Sequence, residues 1–265
     1  MSEKKAHTIV ISNEKGGTGK STISMHLAIK LLQEGFKVAT IDLDGRQGTI
    51  SQYLNNRAFF SLTNGIKLPS PQHYKFEPTD DYSHIAEHSA CIEMHIKSLL
   101  PLYDAIIIDT PGNKNYLFEL GHKFADTIIT PIGDSLIDLN SISEVDLATG
   151  KIGKPGCYAN YIWEVKKYLA SQNKNYLNWI IVGNKISSTK SNNKTIVFDH
   201  MNKLSKLYGF RFCEGFKDRV IYKELFLEGL TILDMQDENL KRRMTLSHIA
   251  AKREIKALAE FICPE

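Results

Sequence analysis

Short apolar, β-branched runs alternating with longer stretches of helical period constrain this chain more than any other feature of its sequence. HTIVIS (7–12), KVATID (37–42), YDAIIID (103–109), TIITPI (127–132) and NWIIVG (178–183) each read as a strand buried on both faces. Strands of a parallel sheet have this unbroken apolar character because helices cover both sides. Between the first two, KSTISMHLAIKLLQEG has helical period and closes on Gly35, and residues near 84–99, 115–123, 135–149, 159–171, 192–207 and 246–262 also suit helices. The alternation predicts an α/β fold: one doubly wound domain over residues 1–265, with a mostly parallel sheet flanked by helices and right-handed crossovers. Residues 61–82, polar and holding three of the eight prolines, predict a surface excursion, since alternation resumes after them.

Composition narrows the class. With 265 residues, 42% apolar and 24% charged, the chain can form a sizeable core and lacks the bias of a disordered protein. Its four cysteines make no pair at metal spacing, which predicts free thiols in a reduced, cytoplasmic setting. No signal-peptide pattern precedes the first strand, and no apolar run approaches the ~20 residues needed to span a bilayer, so a soluble protein is expected. The net charge of +3 is uneven: residues 1–149 carry 13 basic and 18 acidic side chains, residues 150–265 carry 20 and 12. A basic second half points to a polyanion partner, against the plainer reading of solvated helix faces.

The stretch NEKGGTGKST follows the first strand and opens the first helix, the placement a phosphate cradle requires. Gly16, Gly17 and Gly19 let backbone N–H groups, with those of Thr18 and Thr22, turn toward an anion at a helix N-terminus. Lys20 can reach β- and γ-phosphates, and the Ser21 hydroxyl can ligate Mg²⁺. Glu14 stands where the usual loop begins with glycine, and Lys15 follows it. Two lysines so close repel unless phosphates or carboxylates absorb the charge. Further along, TIDLDGRQGT and IIIDTPG end two strands with Asp42, Asp44 and Asp109, at the sheet edge where such folds bind ligands. Asn184 follows the NWIIVG strand in a turn.

KGGTGKST resembles the deviant Walker A motif of the ParA/MinD family of P-loop ATPases. The resemblance implies ATP/ADP and Mg²⁺ as cofactors, and an ATP-dependent homodimer in which Lys15 crosses to the partner's nucleotide. It also implies that Asp44 orients the attacking water, that Asp42 and Asp109 with Ser21 hold Mg²⁺, and that Asn184 meets the adenine edge. NEKGGTGKSTI, IDLDGRQ, IIDTPG, TPIGDSLID and GFKDRVIYKELFLEGLTILD together resemble the MipZ-type members, over about residues 7–260. For that group the resemblance implies a slow ATPase that positions the division plane, binds DNA without sequence preference, binds a ParB-like protein and inhibits assembly of an FtsZ-like one. The chain departs mildly, with Gly45 in the switch and lysine often in place of arginine on the basic face, which weakens bidentate phosphate contacts.

Lys190 and Lys194, spaced i, i+4 beyond the adenine-edge turn, are the expected DNA contacts of a nucleoid-associated protein. At the other end, HIAAKREIKALAEFICPE carries Ile255, Leu258, Ala259 and Ile262 on one helical face. Its polar face mixes both charges, so a helix packed on the sheet is expected rather than a membrane helix of MinD type. Two alternatives stand beside this reading: a ParA-type partitioning ATPase or MinD-like membrane-associated one, and a ligase or reductase component on the same scaffold.

Overall fold

A computed structural model describes residues 5–146, 151–174, 176–187, 192–240 and 242–262. Its first half runs β1 (His7–Ile11), α1 (Lys20–Gln33), β2 (Val38–Asp42), α2 (Thr49–Asn64), β3 (Gln72–Lys75), α3 (Ile85–Leu99), β4 (Ala105–Asp109), α4 (Tyr116–Lys123) and β5 (Thr127–Ile132). The second half runs α5 (Leu136–Ile142), β6 (Ser143–Asp146), β7 (Lys151–Pro155), α6 (Cys157–Ser171), β8 (Asn178–Gly183), α7 (Asn192–Tyr208), β9 (Arg211–Cys213), α8 (Ile221–Glu228) and α9 (Leu246–Ile262). Among the described residues, seven strands form one parallel sheet in the order β3-β2-β4-β1-β5-β8-β9.

Side-chain alternation along each central strand divides the core in two. Val10 joins the layer formed with α3, α4, α6 and α7, around Ile92, Phe118, Ile162 and Leu204. Its neighbours Ile9 and Ile11 face the opposite layer, with Ile23 and Leu27 of α1, Leu225 of α8 and Leu258 of α9. Helix α9 buries Ala251, Ile255, Leu258, Ala259 and Ile262 there, as expected for a helix packed on the sheet. Each large aliphatic side chain so buried contributes roughly 1.5–3 kcal/mol. Among the described residues no helix is long and apolar enough to cross a membrane. Strand order reverses at β1, which lies between β4 and β5, and the segments after β1, β2 and β4 meet at that edge of the sheet.

Two expectations need correction. The helix foreseen over 135–149 ends at Ile142, and β6 pairs antiparallel with β7 as a separate two-stranded sheet. Leu136, Leu139, Ile142 and Val145 recur every third residue, which imitates helical period. The pairing of Asp146 with Lys151 and the packing of Val145 and Ile152 on the core decide otherwise. The excursion at 61–82 is also more regular than expected, since it begins inside α2 and contains the edge strand β3, in register with β2. The period of α2 is hidden because its buried face combines Ile50 and Tyr53 with an arginine, Arg57.

Candidate functional site

The loop between β1 and α1 is held open by glycine. Gly17 and Gly19 take left-handed φ angles of 71° and 89°, conformations that residues with a Cβ adopt only under strain. A Cβ built on Gly16 or Gly17 would meet nothing within 4 Å, so this side of the loop is an open cradle. The N-terminus of α1 has no side-chain cap and no acidic residue in its first turn, leaving amide N–H groups and the positive helix end for an anion. Lys20 is buried, and its Nζ donates to Asn13 O at 3.3 Å and Lys15 O at 3.2 Å. Burial pushes its ammonium below the usual lysine range, opposed by the charges of Asp109 and Asp44. The Thr18 hydroxyl donates to Lys15 O at 3.4 Å, and Thr22, half-buried, offers its carbonyl to His26 Nδ1 at 2.8 Å.

The three strand-end carboxylates converge on this cradle. Asp42 and Asp109 are register partners on the adjacent strands β2 and β4. Asp109 accepts from Ser21 Oγ at 2.6 Å and from Ser24 Oγ at 3.1 Å, both on α1. Burial, and then the neighbouring Asp42, push its carboxyl up to about 7. Asp42 accepts from Ser51 Oγ at 2.6 Å and from the Asp44 backbone N–H at 3.0 Å. Ser51 Oγ also lies 2.9 Å from Nε2 of His73 on the edge strand. Burial and Asp42 raise the Asp44 carboxyl as well, while backbone N–H groups of Gln47 and Gly112 and the charge of Lys20 oppose the shift. Gly112 closes the site: a Cβ there would stand 3.1 Å from Gly16 Cα and 3.4 Å from Lys20 Nζ.

Crowded, desolvated carboxylates beside a serine hydroxyl favour a cation. Among the described residues no three His, Cys, Asp or Glu side chains gather as a metal cage. Ser21, Asp42 and Asp109 would therefore hold Mg²⁺ only together with a bound phosphate and water, the oxygen ligands it usually keeps. The residues fit a phosphate-bound cation better than a free one.

The outer side of the loop is built differently. Lys15, whose side chain is 55% exposed, donates from Nζ to Asp138 Oδ1 at 2.6 Å. The other Asp138 oxygen accepts from Gly133 N at 2.9 Å, so the carboxylate is anchored to the end of β5. Asn13 fixes the loop from beneath, accepting from Lys15 N at 2.9 Å and donating to Pro131 O at 2.7 Å. Asn184 arrives from β8 and donates to Thr18 O at 2.6 Å; its amide lies where a Cβ on Gly19 would fall. Lys185 Nζ donates to Gly17 O at 2.6 Å. The predicted nucleotide-site residues thus lie on this loop, in the first turn of α1, at the ends of β2 and β4, or, for Asn184, bonded to the loop. Lys190 and the side chain of Lys194 lie outside the described residues, and α7 beyond them exposes Lys203 and Lys206. Asn13, Ser24, Ser51, His73 and Asp138 were not foreseen as site residues. Only Asn13 and Asp138 carried a signal, standing in the NEKGGTGKST and TPIGDSLID stretches.

Known proteins share this fold and family. Among curated proteins, the chain is 21% identical over 188 residues to IncC of Escherichia coli, covering 64% of this chain and 52% of IncC. It is 30% identical over 161 residues to the septum site-determining protein MinD of Thermotoga maritima, covering 54% of this chain and 57% of MinD. It thus spans about half the length of these curated relatives. Among solved structures, MinD complexed with Mg-ADP from Pyrococcus horikoshii superposes with a TM-score of 0.60 at 17% identity, covering 98% of this chain and 96% of that one. An ATP complex of Cyanothece McdA gives 0.59 at 17% identity, covering 95% and 96%. The fold is therefore that of the ParA/MinD P-loop proteins. A family model for ATPase MipZ matches residues 7–262, and the chain belongs to that family.

Proposed function

We propose that the protein is an ATP-switched ATPase, acting as one domain over 1–265, that dimerises around two nucleotides and positions the division plane. The observation that carries this reading is the contrast between the loop's two lysines. Lys20 is buried against the loop's own carbonyls, whereas Lys15 is held at the surface by one carboxylate. A surface lysine beside a phosphate cradle is available to a second subunit's phosphates, and Asp138 steadies it until then. Lys20, Gly16, Gly17, Thr18, Gly19 and Thr22 cradle the phosphates, and Asn184, already against the loop, meets the adenine edge. Ser21, Asp42 and Asp109 would hold Mg²⁺, which would supply positive charge against the phosphates. Asp44, steadied by Gln47 and Gly112, orients the attacking water.

In the ATP dimer, Lys190 and Lys194 meet DNA phosphates without reading sequence, placing the protein on the nucleoid in the cytoplasm. A ParB-like protein and an FtsZ-like polymer are its protein partners. Membrane recruitment of MinD type is disfavoured because the apolar face of α9 is already committed to the core. ATP turnover measured against protein concentration tests the proposal. Turnover per protomer should rise with concentration and level off, and Asp44→Ala should lose at least about ten-fold in rate while still binding ATP. Turnover per protomer that is independent of concentration would contradict a dimer-built site.

A further inference from the structure

A second concave site lies away from the phosphate loop, between α6, the end of α7 and the β7 end of the hairpin. Its walls are Ile162, Trp163 and Lys166 of α6, Trp179 of β8, and Leu207 and Tyr208 of α7. Trp179 is the second residue of β8, whereas Asn184 follows that strand's far end, so the slot lies toward the end of β8 away from the phosphate loop. Its volume is about 200 Å³. Small-molecule sites run from about 300 to 1,000 Å³, so this slot has the capacity of one large side chain.

The rim combines exposed apolar surface with uncompensated positive charge. Trp163 and Leu207 are 58% and 60% exposed. Large apolar side chains left in water beside a preformed hollow are what a partner's anchor residue covers. Lys166 Nζ donates only to backbone carbonyls, Tyr208 O at 3.4 Å and Gly209 O at 3.2 Å. Lys203, one helical turn before Leu207, and the nearby Lys206 are both exposed. Among the described residues, none of these three lysines has a carboxylate within ion-pairing distance. Lys167, by contrast, is already paired with Glu164 at 2.8 Å.

We propose that this slot docks an acidic peptide segment of a partner protein, a large apolar side chain entering between Trp163 and Leu207 while flanking carboxylates meet Lys166, Lys203 and Lys206. A DNA duplex would meet the same lysines but has no apolar side chain to fill the hollow. The docking site is separate from the nucleotide site, so its test stands whether or not the dimer reading holds.

The chain has two tryptophans, and both line the slot, so its intrinsic emission reports on this place. The probe is the capped heptapeptide EDEFDEE, beside the same peptide with alanine for phenylalanine and a short DNA duplex. The phenylalanine peptide should shift the emission saturably, and added salt should weaken the effect. The alanine peptide should bind at least about ten-fold more weakly, as should the phenylalanine peptide to Leu207→Glu or to Lys203→Glu with Lys206→Glu. These substitutions are at exposed positions, and circular dichroism checks that each variant is folded. No saturable shift up to about 1 mM peptide, or equal binding of both peptides, would overturn the proposal. A shift with the duplex but not with the peptide would also overturn it and make this face a nucleic-acid surface.

Discussion

Two ion pairs of nearly equal length show how differently two regions of this molecule use charge. Beneath α2, Arg57 meets Asp234 through two N–H···O contacts of 2.8 and 2.7 Å, with side chains 0% and 1% exposed. Two further guanidinium N–H groups reach Pro69 O and Gly229 O, and Asp234 also accepts from the Thr231 backbone N–H and hydroxyl. At the phosphate loop, Lys15 meets Asp138 at 2.6 Å, but the lysine side chain is 55% exposed and, among the described residues, makes no other side-chain hydrogen bond or ion pair. Burial therefore decides what each pair does. The first is buried, holds four of the five guanidinium N–H groups and ties α2 to the 229–234 segment. The second is exposed at one end only, Lys15 being 55% and Asp138 10% exposed; the exposed lysine's share is about 0–1 kcal/mol, and Asp138 keeps its bond from Gly133 N when a phosphate takes the lysine.

Breaking the buried pair should have the largest effect. Asp234→Ala strands a desolvated guanidinium and should lower stability by about 3–5 kcal/mol, read as a fall in the urea midpoint. A change below about 1 kcal/mol would mean that water replaces the carboxylate.

Acid probes the same region. His26 Nε2 accepts from Ile232 N at 3.2 Å, and burial lowers its ring to about 4. The unfolded ring titrates near 6.5, so the folded state binds fewer protons between these values. The stability from keeping His26 neutral is full above pH 6.5 and is lost as pH falls toward 4, about 3 kcal/mol in all. Ring ¹⁵N shifts should show His26 neutral at pH 5.5; titration near 6.5 would refute this.

At the loop, Lys20→Ala should weaken ATP binding about 100-fold by calorimetry, close to 2.7 kcal/mol, with little change in melting temperature of the free protein. The smallest expected effect sharpens the contrast: Lys15→Ala and Asp138→Asn should each shift stability by less than about 1 kcal/mol and leave ATP affinity within about three-fold. A loss as large as that of Asp234→Ala would show that the outer pair is structural too.

Much of the fold was legible because each central strand is a continuous apolar run between helical stretches, and most of the phosphate cradle because Gly16 to Thr22 are adjacent in sequence. Legibility failed where distant segments decide the outcome. Asp138 reaches Lys15 across 123 positions, and Ser51 joins Asp42 to His73 only because β3 lies beside β2. Helix α2 concealed its period by burying Arg57, whose charge is answered by an aspartate 177 positions away. The β6–β7 pairing was missed because Val145 satisfies a three-residue repeat as readily as a strand. In all but the last case, a short hairpin, a long-range partner replaces a local preference.

Light scattering of the protein with AMPPNP and Mg²⁺ at micromolar concentration, beside Lys15→Ala, shows whether two chains share the loop lysine. The account predicts the mass of two chains for the natural sequence and of one for the variant, with nucleotide bound to both. A single-chain mass for the natural sequence, or a two-chain mass for Lys15→Ala, would contradict a lysine shared across subunits.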